Sequence, residues 1–217
     1  QIERLLTILT AQVAQMAGSL SPMTDLLAEI DLISARANYA IALFADMPKL
    51  SEHGVLQLRK ARHPLLIAKF GHEQVVPLDI EIAYGHSLVV TGPNTGGKTV
   101  ALKTVGLLAL MAKSGMQVPA SPESQIPIFT TVLADIGDEQ SLEQSLSTFS
   151  GHMHHLVAIL HEADAETLVL LDEIGTGTDP AEGAALAQAI IEALRDRAVT
   201  TMLTTHYGSL KAMAYHQ

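Results

Sequence analysis

An α/β fold with a largely parallel central sheet is what this sequence predicts, and three observations carry it. Strand and helix patterns alternate from residue 87 onward, the order that layers helices over a parallel sheet. Residues 92–99 read GPNTGGKT, a glycine-rich turn between an apolar strand and a run of helix formers. The apolar run Leu168–Leu171 ends in Asp172 and Glu173, so these acids should emerge at the same carboxyl edge as the glycine turn.

In chain order, Leu5, Leu6, Leu9, Val13 and Met16 recur at helical spacing until Gly18 and Pro22 break the run, and Leu26, Leu27, Ile30, Ile33, Ala37, Ile41 and Phe44 mark a second helix that Pro48 ends. Residues 1–47 therefore read as a helical hairpin, an appendage to an α/β domain over 48–217. Short branched segments predict strands at Val55–Leu58, Leu65–Ile67, Val75–Ile82 and Ser87–Thr91. A helix is expected from Lys98 to Lys113, then a connection rich in Pro, Ser and Gly from Ser114 to Pro127. A strand near Phe129–Ala134 and a helix from about Leu146 to Ala163 come next. The strand Thr167–Leu171, the helix Pro180–Asp196 and the strand Val199–Thr204 close the pattern, with Asp179 placed to cap the last helix.

Composition narrows the chemistry. The 217 residues carry 13 basic and 23 acidic side chains, a formal net charge of −10, which supplies no long-range attraction to a phosphate backbone. The one basic concentration, Arg59, Lys60, Arg62 and His63, reads as a solvated strand edge. At 48% hydrophobic and 17% charged residues the chain can bury a sizeable core. The absence of cysteine excludes disulfides, Cys-based zinc sites and thiol nucleophiles, and a cytoplasmic address is the expectation. No apolar run approaches the ~20 residues that cross a bilayer, so no membrane partner is expected. Starting at Gln1 and ending just past a histidine motif, the sequence reads as a piece of something longer.

The glycine-rich loop and its first helical turn, Gly92, Pro93, Asn94, Thr95, Gly96, Gly97, Lys98, Thr99 and Val100, form the expected nucleotide-binding segment. Glycines let the backbone turn its N–H groups inward, and the helix that comes after presents its positive dipole end to an anion. Lys98 adds a charge that reaches the β and γ phosphates, and Thr99 offers a hydroxyl to Mg²⁺. Asp172 is the second expected Mg²⁺ group. Glu173 is placed to polarise the attacking water, which favours hydrolysis over simple nucleotide binding. His206, just past the last strand, can donate to the γ phosphate or to that water.

Four runs then carry a family resemblance: TGPNTGGKT at 91–99, SLSTFSGHM at 145–153, LLDEIGTGTDPAEGAAL at 170–186 and TTHYGSL at 204–210. Together they resemble the ATPase domain of the MutS superfamily. Thr95, Thr99, Thr176, Asp179 and Pro180 lean toward the MutS2 branch and away from mismatch-repair MutS. The resemblance implies an ABC-type nucleotide domain of the P-loop NTPase class that binds ATP and Mg²⁺ and works as a homodimer with composite sites. Ser147, with Thr148 and Phe149, would close over the partner's nucleotide, and Asn94 would touch phosphate or the neighbouring subunit. The segment Ala134–Gln140 would lead to that serine, with Asp135 or Asp138 near the site. No aromatic stands near Val75, where relatives stack the adenine. For the whole protein the resemblance implies binding of branched DNA, suppression of homologous recombination and a C-terminal Smr nuclease, or alternatively action on stalled or collided ribosomes; a competing reading of a different class is a nucleotide-gated dimerisation module with little turnover in this fragment. A small GTPase fits poorly, since the closing segment TTHYGSLKAMA has no base-specifying Asn and Asp.

Overall fold

The computed structural model describes residues 1–93, 96–137, 145–175 and 179–207, with backbone alone for residues 21 and 145–150. The chain divides into two compact units, Gln1–Ala42 and Leu43–Gln217.

The first unit is one helix, α1 (Ile2–Leu43), which runs on to the start of the second. The expected break is absent: Gly18 and Pro22 lie inside α1. A proline removes one backbone bond and crowds the carbonyl four residues back, here that of Gly18, a local cost of about 3 kcal/mol that a helix with long flanks on both sides can carry. Near that turn the hydroxyls of Ser19 and Thr24 donate to the carbonyls of Met16 and Leu20 at 2.8 and 3.0 Å.

The second unit holds two sheets. Strands β1 (Lys49–Ser51), β2 (Leu56–Ala61), β3 (Leu78–Ile82) and β5 (Gln125–Pro127) form a mixed sheet in the order β1-β5-β2-β3. Strands β4 (Ser87–Thr91), β6 (Thr131–Asp135), β7 (Thr167–Leu171) and β8 (Thr200–Thr205) form an all-parallel sheet in the order β4-β8-β7-β6. The expected parallel sheet is therefore present, and the smaller mixed sheet is an addition. Two of its strands, β1 and β5, were not anticipated, because three residues are too few to show a period.

One expected strand is a helix. Residues Leu65–Ile67 fall in α2 (Pro64–Phe70), entered from an extended His63 with Pro64 in the first turn. Proline's fixed φ and missing donor suit a first helical turn, and an apolar run this short cannot by itself separate strand from helix. Likewise β3 starts only at Leu78, after a 3₁₀ turn at His72–Gln74 and Pro77.

Helices α3 (Lys98–Lys113), α4 (Ser145–Glu162) and α5 (Pro180–Arg195) cover the parallel sheet. Strand alternation sorts the core. Leu168, Leu170 and Met202 pack with Leu102, Val105 and Leu108 of α3, whereas Val169, Leu171 and Leu203 pack with Leu156 and Ile159 of α4 and Ala187 and Ile190 of α5. Every residue of β7 and β8 is buried, as expected for central strands covered on both faces.

Candidate functional site

In the parallel sheet β4, β8 and β7 are neighbours, so the residues just past their carboxyl ends share one edge. Gly92 comes directly after β4, His206 after β8, and Asp172 with Glu173 after β7.

Gly97 precedes α3 at φ 78° and ψ 18°, a left-handed conformation that glycine takes without a side-chain penalty. The N–H of Gly96 donates to the Pro93 carbonyl at 3.1 Å, and that of Ala101 to Gly97 at 2.9 Å. Among the described residues, a Cβ added at Gly92, Gly96 or Gly97 would meet no atom within 4 Å. The loop therefore has open space beside it at the N-terminus of a sixteen-residue helix, where backbone donors lack intrahelical partners. Lys98 is only 5% exposed, and its ammonium donates to the Gly92 carbonyl.

The two expected metal groups meet directly. The Thr99 hydroxyl donates to Asp172 Oδ2 at 2.6 Å. The other carboxylate oxygen, Oδ1, accepts from the Thr204 hydroxyl, and the same hydroxyl accepts the Glu173 N–H at 2.9 Å. Glu173 holds φ at 51°, unusual for a residue with a side chain. Its Oε1 lies 2.9 Å from His206 Nε2. Open space beside the glycines, a buried ammonium and a hydroxyl–carboxylate pair of hard oxygens suit a phosphate chain with Mg²⁺.

Asp135, at the end of β6, joins this edge through its backbone: its carbonyl accepts the Asp172 N–H at 2.9 Å. Its carboxylate faces α4, with His152 Nδ1 at 3.0 Å and His155 Nδ1 at 3.7 Å. Asp135, His152, Met153, Asp172, Ile174 and Gly175 line a small cleft there. Beyond Glu173, the Tyr207 hydroxyl donates to the Gly175 carbonyl at 2.6 Å, and Asp179 caps α5 by accepting from the Ala181 N–H at 2.9 Å.

The structure thus brings Gly92, Gly96, Gly97, Lys98, Thr99, Asp172, Glu173 and His206 to one edge. Pro93 lies exposed in the loop, and Val100 is exposed in the first turn of α3. Asn94, Thr95, Asp138 and Thr176 lie outside the described residues. Ser147 falls in the first turn of α4, and the side chains of Ser147, Thr148 and Phe149 lie outside those described. Sequence reasoning gives no part to Thr204 or Tyr207, although both lie within two residues of His206 in a run that it singles out. The available signal is a hydroxyl residue at the very end of an otherwise buried strand.

Residues 88–217 match the family described as MutS domain V. The chain belongs to the MutS domain V family. Domain V here takes in the glycine loop, both acids and His206, and its layered α/β architecture is that of a P-loop ATPase domain of the ABC type. The chain is 52% identical to Endonuclease MutS2 of Halalkalibacterium halodurans over 100% of this chain and 27% of that protein. It is 54% identical to Endonuclease MutS2 of Pelotomaculum thermopropionicum over 99% of this chain and 27% of that protein. Endonuclease MutS2 of Listeria innocua is 50% identical over 100% of the chain and again 27% of its own length. The chain thus spans about a quarter of the length of the curated relatives it matches. Among the described residues no helix is long and apolar enough to cross a membrane.

Proposed function

We propose that this domain is a Mg²⁺-dependent ATPase of a MutS2-type protein, with the triphosphate seated in the glycine loop. The observation that carries the reading is the meeting of Lys98, Thr99, Asp172 and Glu173 at one sheet edge, tied by the 2.6 Å bond from Thr99 to Asp172. Backbone N–H groups of the loop and the first turn of α3 bind phosphate, and Lys98 adds its charge. Thr99 and Asp172 hold Mg²⁺, which when bound neutralises charge on the terminal phosphates. Glu173 takes the proton of the attacking water, a role worth on the order of 10²–10⁴ in rate. His206 aims that carboxylate across the 2.9 Å contact between them.

Half of the site is assigned to a second subunit. Ser147, in the first turn of α4, closes over the partner's nucleotide in a homodimer, so ATP controls association of the two domains. For the whole protein we propose a machine that binds branched DNA and restrains recombination, a reading that rests on the resemblance of the four sequence runs; the relatives' name itself states only an endonuclease. We assign the cleavage which that name states to parts of their length outside the matched span.

The test is phosphate release by the full-length protein carrying Glu173→Gln, beside ATP binding. Turnover should fall about a hundredfold or more with binding retained. Turnover at the wild-type rate would remove Glu173 from its role.

A further inference from the structure

We infer that Thr204 is a positioning residue of the nucleotide site: one buried hydroxyl sets both the Asp172 carboxylate and the Glu173 backbone. The inference rests on the roles proposed above for those two acids.

A threonine hydroxyl has one proton to give and lone pairs to receive. At Thr204 the proton goes to Asp172 Oδ1, and the Glu173 N–H comes in at 2.9 Å. Thr204 is 0% exposed, so water does not compete for either bond. The backbone ladder between β7 and β8 ends at the pair Leu171 and Leu203. Thr204 is the next residue along β8, and its side chain takes over where that ladder stops. The span it holds is the one that needs holding, since Glu173 sits at φ 51°, a conformation that persists only when its surroundings enforce it. Asp172 receives a second hydroxyl from Thr99 on α3, but Thr99 is also assigned to the metal. Thr204 is then the donor that keeps the carboxylate aimed whichever way Thr99 turns. It reaches no phosphate in this role; it acts through Asp172 and Glu173.

Thr204→Val keeps the branched shape and removes the hydroxyl, leaving a half-buried carboxylate oxygen and the Glu173 N–H without that partner. Thr204→Ser keeps the hydroxyl. In the full-length protein three readouts apply: hydrogen exchange at the Glu173 amide, the Mg²⁺ concentration that half-saturates binding of a fluorescent ATP analogue, and kcat. With valine, amide exchange should quicken about tenfold, the Mg²⁺ midpoint should rise about tenfold, and kcat should fall, while Mg²⁺-free nucleotide binding stays as in wild type. Serine should restore all three. A valine variant with the wild-type Mg²⁺ midpoint and amide exchange overturns the inference, and so does a serine variant that behaves like valine, because shape alone would then matter. If valine prevents folding, Thr204→Cys, whose thiol is a weak donor, is judged by the same criteria. Glu173→Gln measured alongside separates the two levels. Lost turnover there with an unaffected Thr204→Val defeats the inference alone; retained turnover defeats the site reading and the inference with it.

Discussion

Gly175 and Gly183 let the backbone at Gly175, two residues past Glu173, lie against the first turn of α5, and adding one methyl group at Gly183 tests that contact. A Cβ there would stand 2.5 Å from the Gly175 carbonyl oxygen and would run into the Tyr207 hydroxyl. The carbonyl belongs to a residue fixed at φ 83°, so the backbone cannot yield cheaply. The hydroxyl can move, but only by giving up its 2.6 Å bond to that same carbonyl. Overpacking of this kind costs about 1–3 kcal/mol, and the lost hydrogen bond about 1 kcal/mol more. Replacing a helical glycine by alanine returns about 1 kcal/mol. Gly183→Ala should therefore destabilise by about 2 kcal/mol, or roughly 4–8 °C in Tm for a domain of this size. Gly151 is the control, since it too lies within a helix, α4, and a Cβ there meets no atom within 4 Å among the described residues. Gly151→Ala should leave stability unchanged or raise it by up to about 1 kcal/mol. Thermal melts of both variants, followed by circular dichroism, read the difference, and ATP turnover should fall with Gly183→Ala because the displaced backbone at Gly175 lies two residues past Glu173. Equal melting temperatures for the two variants would refute the close-approach argument.

Three further outcomes are expected. His63 has its pKa held below the ordinary 6.5 by burial and then by the charge of Lys103, and among the described residues its buried Nδ1 has no hydrogen-bond partner. Below pH 6.5 the unfolded chain takes up a proton that the folded chain resists, so stability attributable to His63 is full above that pH and is lost as pH falls toward the folded value. Denaturant midpoints at pH 8 and pH 5.5 should therefore drop further for wild type than for His63→Gln, and parallel drops would dismiss the effect. Tyr207→Phe deletes only the hydroxyl on Gly175 and should cost about 1 kcal/mol of stability, read from the denaturant midpoint, with ATP affinity unchanged. Asp135→Ala removes the carboxylate that His152 approaches at 3.0 Å while keeping the carbonyl that receives the Asp172 N–H. It should free α4, seen as faster amide exchange in the turn around His152, before it alters ATP binding.

What could be read from the sequence was set by how local the determining forces are. Lys98–Lys113 and Thr167–Leu171 have the same bounds in the structure as in the sequence reading, because a glycine turn, a sixteen-residue helical period and a fully apolar run declare themselves without neighbours. The meeting of Thr99 with Asp172 was legible for a related reason: parallel strands send all their carboxyl ends one way, so two motifs that each come directly after such a strand must converge. The failures lie where the deciding force comes from elsewhere. Leu65–Ile67 offers the same three apolar residues to a strand or to a helix, and only the fit of Pro64 in a first helical turn decides between them. Pro22 is a strong local signal that a long helix overrode. Thr204 was invisible for a subtler reason. Its importance depends on the register in which Leu171 faces Leu203, since sliding β8 by one residue would put the hydroxyl on the other face of the sheet. The family signature includes Thr204 without saying what it does; the hydroxyl's hold on Asp172 and Glu173 is fixed by strand register, and only the folded chain displays that.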